Sequence, residues 1–192
     1  MTAGNIEDRV RVEPVLIGKQ AGFKRRADGG LLNTHVVDVY VDGSFRPKSS
    51  TGGWAFVAFQ NGQEMYRAHG VDAGLSNNTF ELKAVLEAAL WIAIEYADTP
   101  ATIWTDSSQT VKGCQLSRAI WRNNGWRRIE ANPKKRRRVI QDAALWQELD
   151  RQLSACPGIR IEWCRGHDGN SGNELADTMA RNAAMAPRLP VG

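Results

Sequence analysis

An α/β fold, a mixed sheet with helices on both of its faces, is predicted for this chain by three features of its sequence. Short runs rich in β-branched and aromatic residues alternate with longer segments in which apolar residues recur every three or four positions. Turn-forming clusters such as Asp42-Gly43-Ser44 and Asn61-Gly62 punctuate them. The resulting order, β-β-β-α-β-α-α-β-α, calls for an antiparallel meander first and helical crossovers afterwards, because parallel neighbours cannot be joined by a tight turn.

Residues 1–33 mix glycine, charge and short apolar groups without a sustained period and read as an irregular arm. The run VVDVYV, from Val36 to Val41, stops at Asp42-Gly43-Ser44 and reads as a strand closed by a carboxylate. Gly52-Gly53 opens a second strand, Trp54 to Phe59, and Asn61-Gly62 is a hairpin turn that returns the chain as a third, Glu64 to His69. Ser76-Asn77-Asn78 supplies N-cap types before Leu82, Val85, Leu86, Ala89, Leu90 and Ala93, the apolar stripe of a helix ending near Ala97. Ala101 to Thr105 is a short buried strand, again followed by an acid, and Asp106-Ser107-Ser108 starts another helix. Beyond Trp121, the Gly125 break and Trp126, an amphipathic helix runs from Ile140 to Leu153 with Leu145, Leu149 and Leu153 inward. Ile159 to Cys164 is the last strand, and the loop Gly166 to Gly172 leads into a closing helix from about Asn173 to Met185. The sum is a five-stranded sheet, three strands in a meander and two parallel.

With 192 residues, 42% of them hydrophobic, the chain suffices for one well-buried domain plus tails. No apolar run reaches the roughly 18 residues of a membrane span; Ala84 to Ala97 is interrupted by Glu87 and Glu95. Glu7, Asp8, Arg9, Arg11 and Glu13 leave no room for a secretory signal core, so a cytoplasmic protein without a membrane partner is expected. Cys114, Cys156 and Cys164 are odd in number and form no C-x-x-C pair, which suggests neither a disulfide framework nor a zinc site. The net charge of +4 is unevenly spread: Lys112 to Arg138 holds ten basic residues against Glu130, a segment at +9 on a body at −5. A polyanion docking at one place would produce this layout, although a solvated loop or a nuclear address in Lys134 to Arg138 would too.

Four acids stand where they could converge. Asp42 and Asp106 each follow a strand, Glu81 lies early in the long helix, and Asp177 is one turn into the last. Clustered carboxylates repel and lose hydration, and divalent cations relieve both costs; oxygen-only ligands favour Mg²⁺ or Mn²⁺. Two such ions about 4 Å apart activate a water and stabilise a leaving oxygen in phosphodiester cleavage. Singly, each acid has a plainer use: Asp42 in a turn, Asp106 as an N-cap, Glu81 near a helix dipole, Asp177 as a solvated helix residue.

Their contexts resemble the type 1 ribonuclease H family. Tyr40-Val41-Asp42-Gly43-Ser44 looks like its first-strand motif, Asn77-Asn78-Thr79-Phe80-Glu81 like its helix motif, and Trp104-Thr105-Asp106-Ser107-Ser108 like its third. Trp163-Cys164-Arg165-Gly166-His167 and Asn173-Glu174-Leu175-Ala176-Asp177 are similar to the fourth. The likeness covers residues 34–186, which delimits a ribonuclease H domain carrying a basic protrusion at 112–138, after the arm at 1–33 and before a tail at 187–192.

The resemblance implies a ribonuclease H-like fold and hydrolysis of the RNA strand of RNA–DNA hybrids by a monomer. It implies two Mg²⁺ ions, with Mn²⁺ as a substitute, on Asp42, Glu81, Asp106 and Asp177, and 3′-hydroxyl and 5′-phosphate products. It gives His167 a part in proton handling or product departure. Candidate contacts to the nucleic acid are Gly43, Ser44, Ser76, Asn77, Asn78 and Ser108, then Trp121, Trp126, Arg127, Arg128, Lys134 and Lys135 in the protrusion. Asn77, Asn78 and Ser108 would meet 2′-hydroxyls, and Ser76 with the basic segment would hold DNA phosphates. Tryptophan alternating with arginine also suits plain packing of a helical arm. Two positions depart from the pattern: Arg46 to Ser50 lacks the family's Gly and Asn, and Ser108 stands where many members have Gln. The rival functions are a hybrid-binding module without chemistry and a nuclease of the same fold acting on another nucleic acid.

Overall fold

The computed structural model describes residues 11–12, 36–129, 138–166 and 168–186. Lys134, Lys135 and His167, the tail at 187–192 and all of the arm save two residues lie outside them.

Among the described residues six strands form one sheet: β1 (Arg11–Val12), β2 (Val37–Arg46), β3 (Thr51–Gln60), β4 (Gln63–Ala73), β5 (Ala101–Thr105) and β6 (Ile159–Trp163). Their spatial order is β1-β4-β3-β2-β5-β6. β2, β3 and β4 are the antiparallel meander, joined between β3 and β4 by Asn61-Gly62 with φ of +53° and +75°, the left-handed pair a tight hairpin needs. β5 and β6 extend the sheet in parallel from β2. The five expected strands are present, and the arm read as irregular adds a sixth: Arg11 and Val12 pair with His69 and Ala68 on the exposed edge of β4.

The helices are α1 (Asn77–Glu95), α2 (Ser108–Lys112), α3 (Arg118–Asn123), α4 (Ala143–Ala155) and α5 (Ser171–Met185), with a single π-helical turn at Gly113–Ser117. Val37, Val39 and Val41 of β2 are fully buried and belong to the core that also takes Leu82, Val85, Leu86, Ala89 and Ile92 of α1. Burial of such side chains contributes about 1.5–3 kcal/mol each. α4 packs behind α1, and α5 packs on β2 and β3. A Cβ on Gly43 would meet the α1 backbone and one on Gly53 the α5 backbone, so the two helices lie on opposite faces.

Two expectations about boundaries change. Asp42 does not close its strand: β2 runs four residues further because its antiparallel partner β3 continues to Thr51, opposite Arg46. Pairing with the parallel partner β5 stops at Trp104 opposite Tyr40, so Asp42 still emerges just past the carboxyl end of the parallel pairing. The helix read from Ile140 begins at Ala143, because Val139 bridges to Arg127 and Ile140 donates its N–H to the Trp126 carbonyl. Among the described residues no helix is long and apolar enough to cross a membrane.

Candidate active site

Alternation along β2 sends its odd-numbered residues to α1 and its even ones to α5. Tyr40 and Asp42 therefore face α5, and a Cβ on Gly172, at the start of α5, would lie 2.3 Å from the Tyr40 ring. Gly43 faces α1 and is buried; a Cβ there would sit 2.2 Å from the Glu81 nitrogen and 2.3 Å from the Phe80 carbonyl carbon. This close approach sets the first part of α1, and with it Glu81, beside Asp42. The missing side chain of Gly43 is thus used inside the fold, while its reading as a contact to nucleic acid remains a proposal.

Asp106 follows β5 directly. Its plainer reading as an N-cap does not hold, because Ser107 caps α2 by accepting from the Thr110 N–H. The indole N–H of Trp163 donates to the Asp106 carbonyl at 3.2 Å, and a Cβ on Gly166 would lie 2.4 Å from Asp106 Oδ2, so the end of β6 is pressed against this carboxylate. Asp177 comes from α5, whose N-cap Asn170 accepts from the N–H groups of Gly172 and Asn173. Cys164 ties the end of β6 to α5 through Asn173 Oδ1 at 3.4 Å. Burial pushes its thiol up to about 11, with the charges of Asp106 and Asp42 adding, so it is no nucleophile.

Asp42 is only 8% exposed. Burial above all, then the charge of Asp106, raises its carboxyl from 3.8 to about 8; the Gly43 N–H at 2.7 Å opposes the rise, while Asp177 adds to it by charge and hydrogen bonding. Three carboxyls from β2, β5 and α5 thus share one field. Glu81 and Asp177 are each engaged on their own helix: Asn77 Nδ2 donates to Glu81 Oε1 at 2.7 Å, and Arg181 Nη2 lies 2.7 Å from Asp177 Oδ2. Among the described residues no three acid, histidine or cysteine side chains are grouped closely enough to hold a metal ion as they stand. The donor set is nevertheless oxygen only, negatively charged and short of counter-charge at Asp42, which fits a hard divalent cation.

The expected substrate contacts fall into two groups. Ser76 caps α1 and accepts from Gln141 Nε2 at 2.9 Å, and Asn78 Nδ2 donates to Gln109 Oε1 at 2.5 Å; Asn78, Gln109 and Gln141, but not Ser76, line a groove of about 390 Å³. That groove is also lined by Arg128, Trp121 and Asp142. Ser108 is exposed and Ser44 half-buried. The tryptophans behave otherwise: Trp121 meets Trp146 edge-on at 5.0 Å, and Trp126, at φ +59°, also packs against the core. Both rings thus pack inside the fold, and Trp121 also lines the groove, so contact with nucleic acid stays a proposal for them. Within the basic segment, Arg118 and Arg122 are spent on Asp150 at 3.5 and 3.3 Å.

Sequence reading missed Gln109, Gln141, Asp142 and Arg181. Arg181 carried a signal in its spacing of four from Asp177. Asp142 gave none, since its carboxylate turns away from its own helix to accept from Thr79 Oγ1 at 2.9 Å, 63 residues away.

Comparison with known proteins agrees with this architecture. A family model described as RNase H matches residues 34–185. A ribonuclease H of Bordetella bronchiseptica is 33% identical over 152 residues, 79% of this chain and 91% of that protein. LC9-RNase H1, solved as a type 1 RNase H with the type 2 active-site motif, shares 27% identity at a TM-score of 0.62, over 78% of this chain and 72% of that one. A foamy viral protease-reverse transcriptase solved in complex with an RNA/DNA hybrid gives a TM-score of 0.64 over 79% of this chain and 20% of that one; at 19% identity this is a likeness of fold.

Proposed function

The chain belongs to the RNase H family and is a ribonuclease, and from that premise we propose that it cuts the RNA strand of RNA–DNA hybrids endonucleolytically at Asp42, Glu81, Asp106 and Asp177. The observation that carries the assignment to these acids is the state of Asp42, buried between Asp106 and Asp177 with its carboxyl raised to about 8. A chain that merely bound nucleic acid would have no use for so costly a group.

The four carboxylates would hold two Mg²⁺ ions, or Mn²⁺ in their place, which when bound activate a water and stabilise the leaving 3′-oxygen, giving 3′-hydroxyl and 5′-phosphate ends. The chain's own residues supply the rest. The Gly43 N–H holds one oxygen of Asp42 and so fixes the direction of the other. Ser107 and Trp163 pin the turn that carries Asp106 from both sides. His167, two residues after Arg165 in the sequence, would take part in proton handling or product departure.

The groove lined by Asn78 and Gln109, which stand three residues along the chain from Glu81 and Asp106 respectively, supports recognition by shape: both offer amide groups suited to a 2′-hydroxyl, and Arg128, in the same groove, would meet a phosphate. The test is cleavage of a labelled hybrid beside duplex DNA, duplex RNA and single strands, with and without Mg²⁺. Metal-dependent cutting of RNA in the hybrid alone is expected; equal cutting of another substrate would move the assignment to a different nuclease of this fold.

A further inference from the structure

We propose that Arg181 is a positioning residue that weakens cation binding on the Asp177 side of the site; the inference rests on the four acids being metal ligands. Asp177 and Arg181 stand one turn apart on α5, with Nη2 2.7 Å from Oδ2. Acid before base at this spacing is the favourable order on a helix. The two partners differ in freedom. The Asp177 side chain is 16% exposed and hemmed in by the fold, whereas Arg181 is 53% exposed and can swing into water. A cation arriving at Asp177 therefore displaces the guanidinium, or shares the carboxylate with it, while Asp177 stays in place.

The other side of the site is built differently. Glu81 is held by the side-chain amide of Asn77, a neutral donor that yields without losing an ion pair. One flank of the acid cluster thus carries a paired but displaceable guanidinium, and the partner of Glu81 on the other is a neutral amide. A unit charge a few ångströms from the cation, screened by solvent and salt at the half-exposed guanidinium, changes affinity by roughly 3- to 10-fold. Arg181 accordingly keeps the cation at Asp177 exchangeable while leaving the Glu81 flank unaffected.

The experiment measures Mn²⁺ binding to the full chain from the electron paramagnetic resonance signal of the free ion, with Mg²⁺ as competitor. R181M should tighten binding by about 3- to 10-fold, R181K should match the parent, and R181Q repeats the test with a shorter neutral side chain. In a D177N background the effect of R181M should disappear, which a purely structural role for Arg181 does not require. The Mg²⁺ concentration giving half-maximal hydrolysis should fall with R181M in parallel. Unchanged or weaker Mn²⁺ binding in both R181M and R181Q overturns the role of Arg181, even while D42N abolishes binding. Mn²⁺ binding that survives D42N and D106N instead overturns the assignment of the acids, and the role of Arg181 falls with it.

Discussion

Replacing Asp42 by Asn should abolish hydrolysis and at the same time stabilise the fold at neutral pH. Its carboxyl rises from 3.8 to about 8 in the folded chain, so folding favours the protonated form. Each tenfold gain in proton affinity is worth about 1.4 kcal/mol, which puts the cost of Asp42 at pH 7 on the order of 4 kcal/mol. Water penetration and small movements of Asp106 and Asp177 reduce this, and a net gain of about 2 kcal/mol for D42N is the working figure. In a chain of this size that corresponds to a melting temperature raised by roughly 4–8 °C. The sign follows from the direction of the rise: the parent's stability from this group is whole below about pH 4 and is lost as pH climbs through about 8. The advantage of D42N should therefore be absent near pH 4 and full by pH 8. Urea unfolding of both proteins across that range, without divalent metal, is the assay. A variant that is less stable than the parent at pH 8, or whose advantage does not change with pH, would refute the picture of a buried charge repelled by its neighbours.

Asp106→Asn should also leave a folded protein with activity reduced to background in the hybrid cleavage assay, and near-full activity would remove Asp106 from the site. His167→Ala should lower the rate by about 10²-fold or less, the usual worth of one proton-transfer group, so complete inactivity in single-turnover kinetics would make it a ligand instead. Exchanging Arg127, Arg128, Lys134 and Lys135 for Ala should flatten the dependence of log affinity on log salt by about 0.9 per lost phosphate contact and raise KM more than it lowers kcat; an unchanged slope would place docking elsewhere. Gly43→Ala forces a methyl group onto the α1 backbone at Glu81 and should cost about 3 kcal/mol in denaturant unfolding, with loss of activity as Glu81 shifts; a neutral outcome would mean the two elements are not in tight contact.

The strands, the Asn61-Gly62 hairpin, the Ser76 cap and the four acids were legible in the residues themselves, because alternation, helical period and capping chemistry are local properties of the chain. The limits of legibility have the same origin. That β2 runs on past Asp42 depended on how far β3 continues beside it, and that Trp121 and Trp126 serve the core depended on Trp146 and on the Trp126–Ile140 hydrogen bond across the protrusion. Asn78 meeting Gln109 and Thr79 meeting Asp142 span 31 and 63 residues, distances over which no periodicity carries information. Residue order was enough to say which acids are available and near which strands and helices they lie, although Asp42 turned out to sit four residues inside the end of β2. Their chemistry came from packing: the approach of α5 over Tyr40 and of Gly166 onto Asp106 brings Asp42, Asp106 and Asp177 within one another's fields, and burial then sets the proton affinity of Asp42. Charge–charge energies and desolvation depend on distance and exposure in three dimensions, and neither is written in the order of the residues.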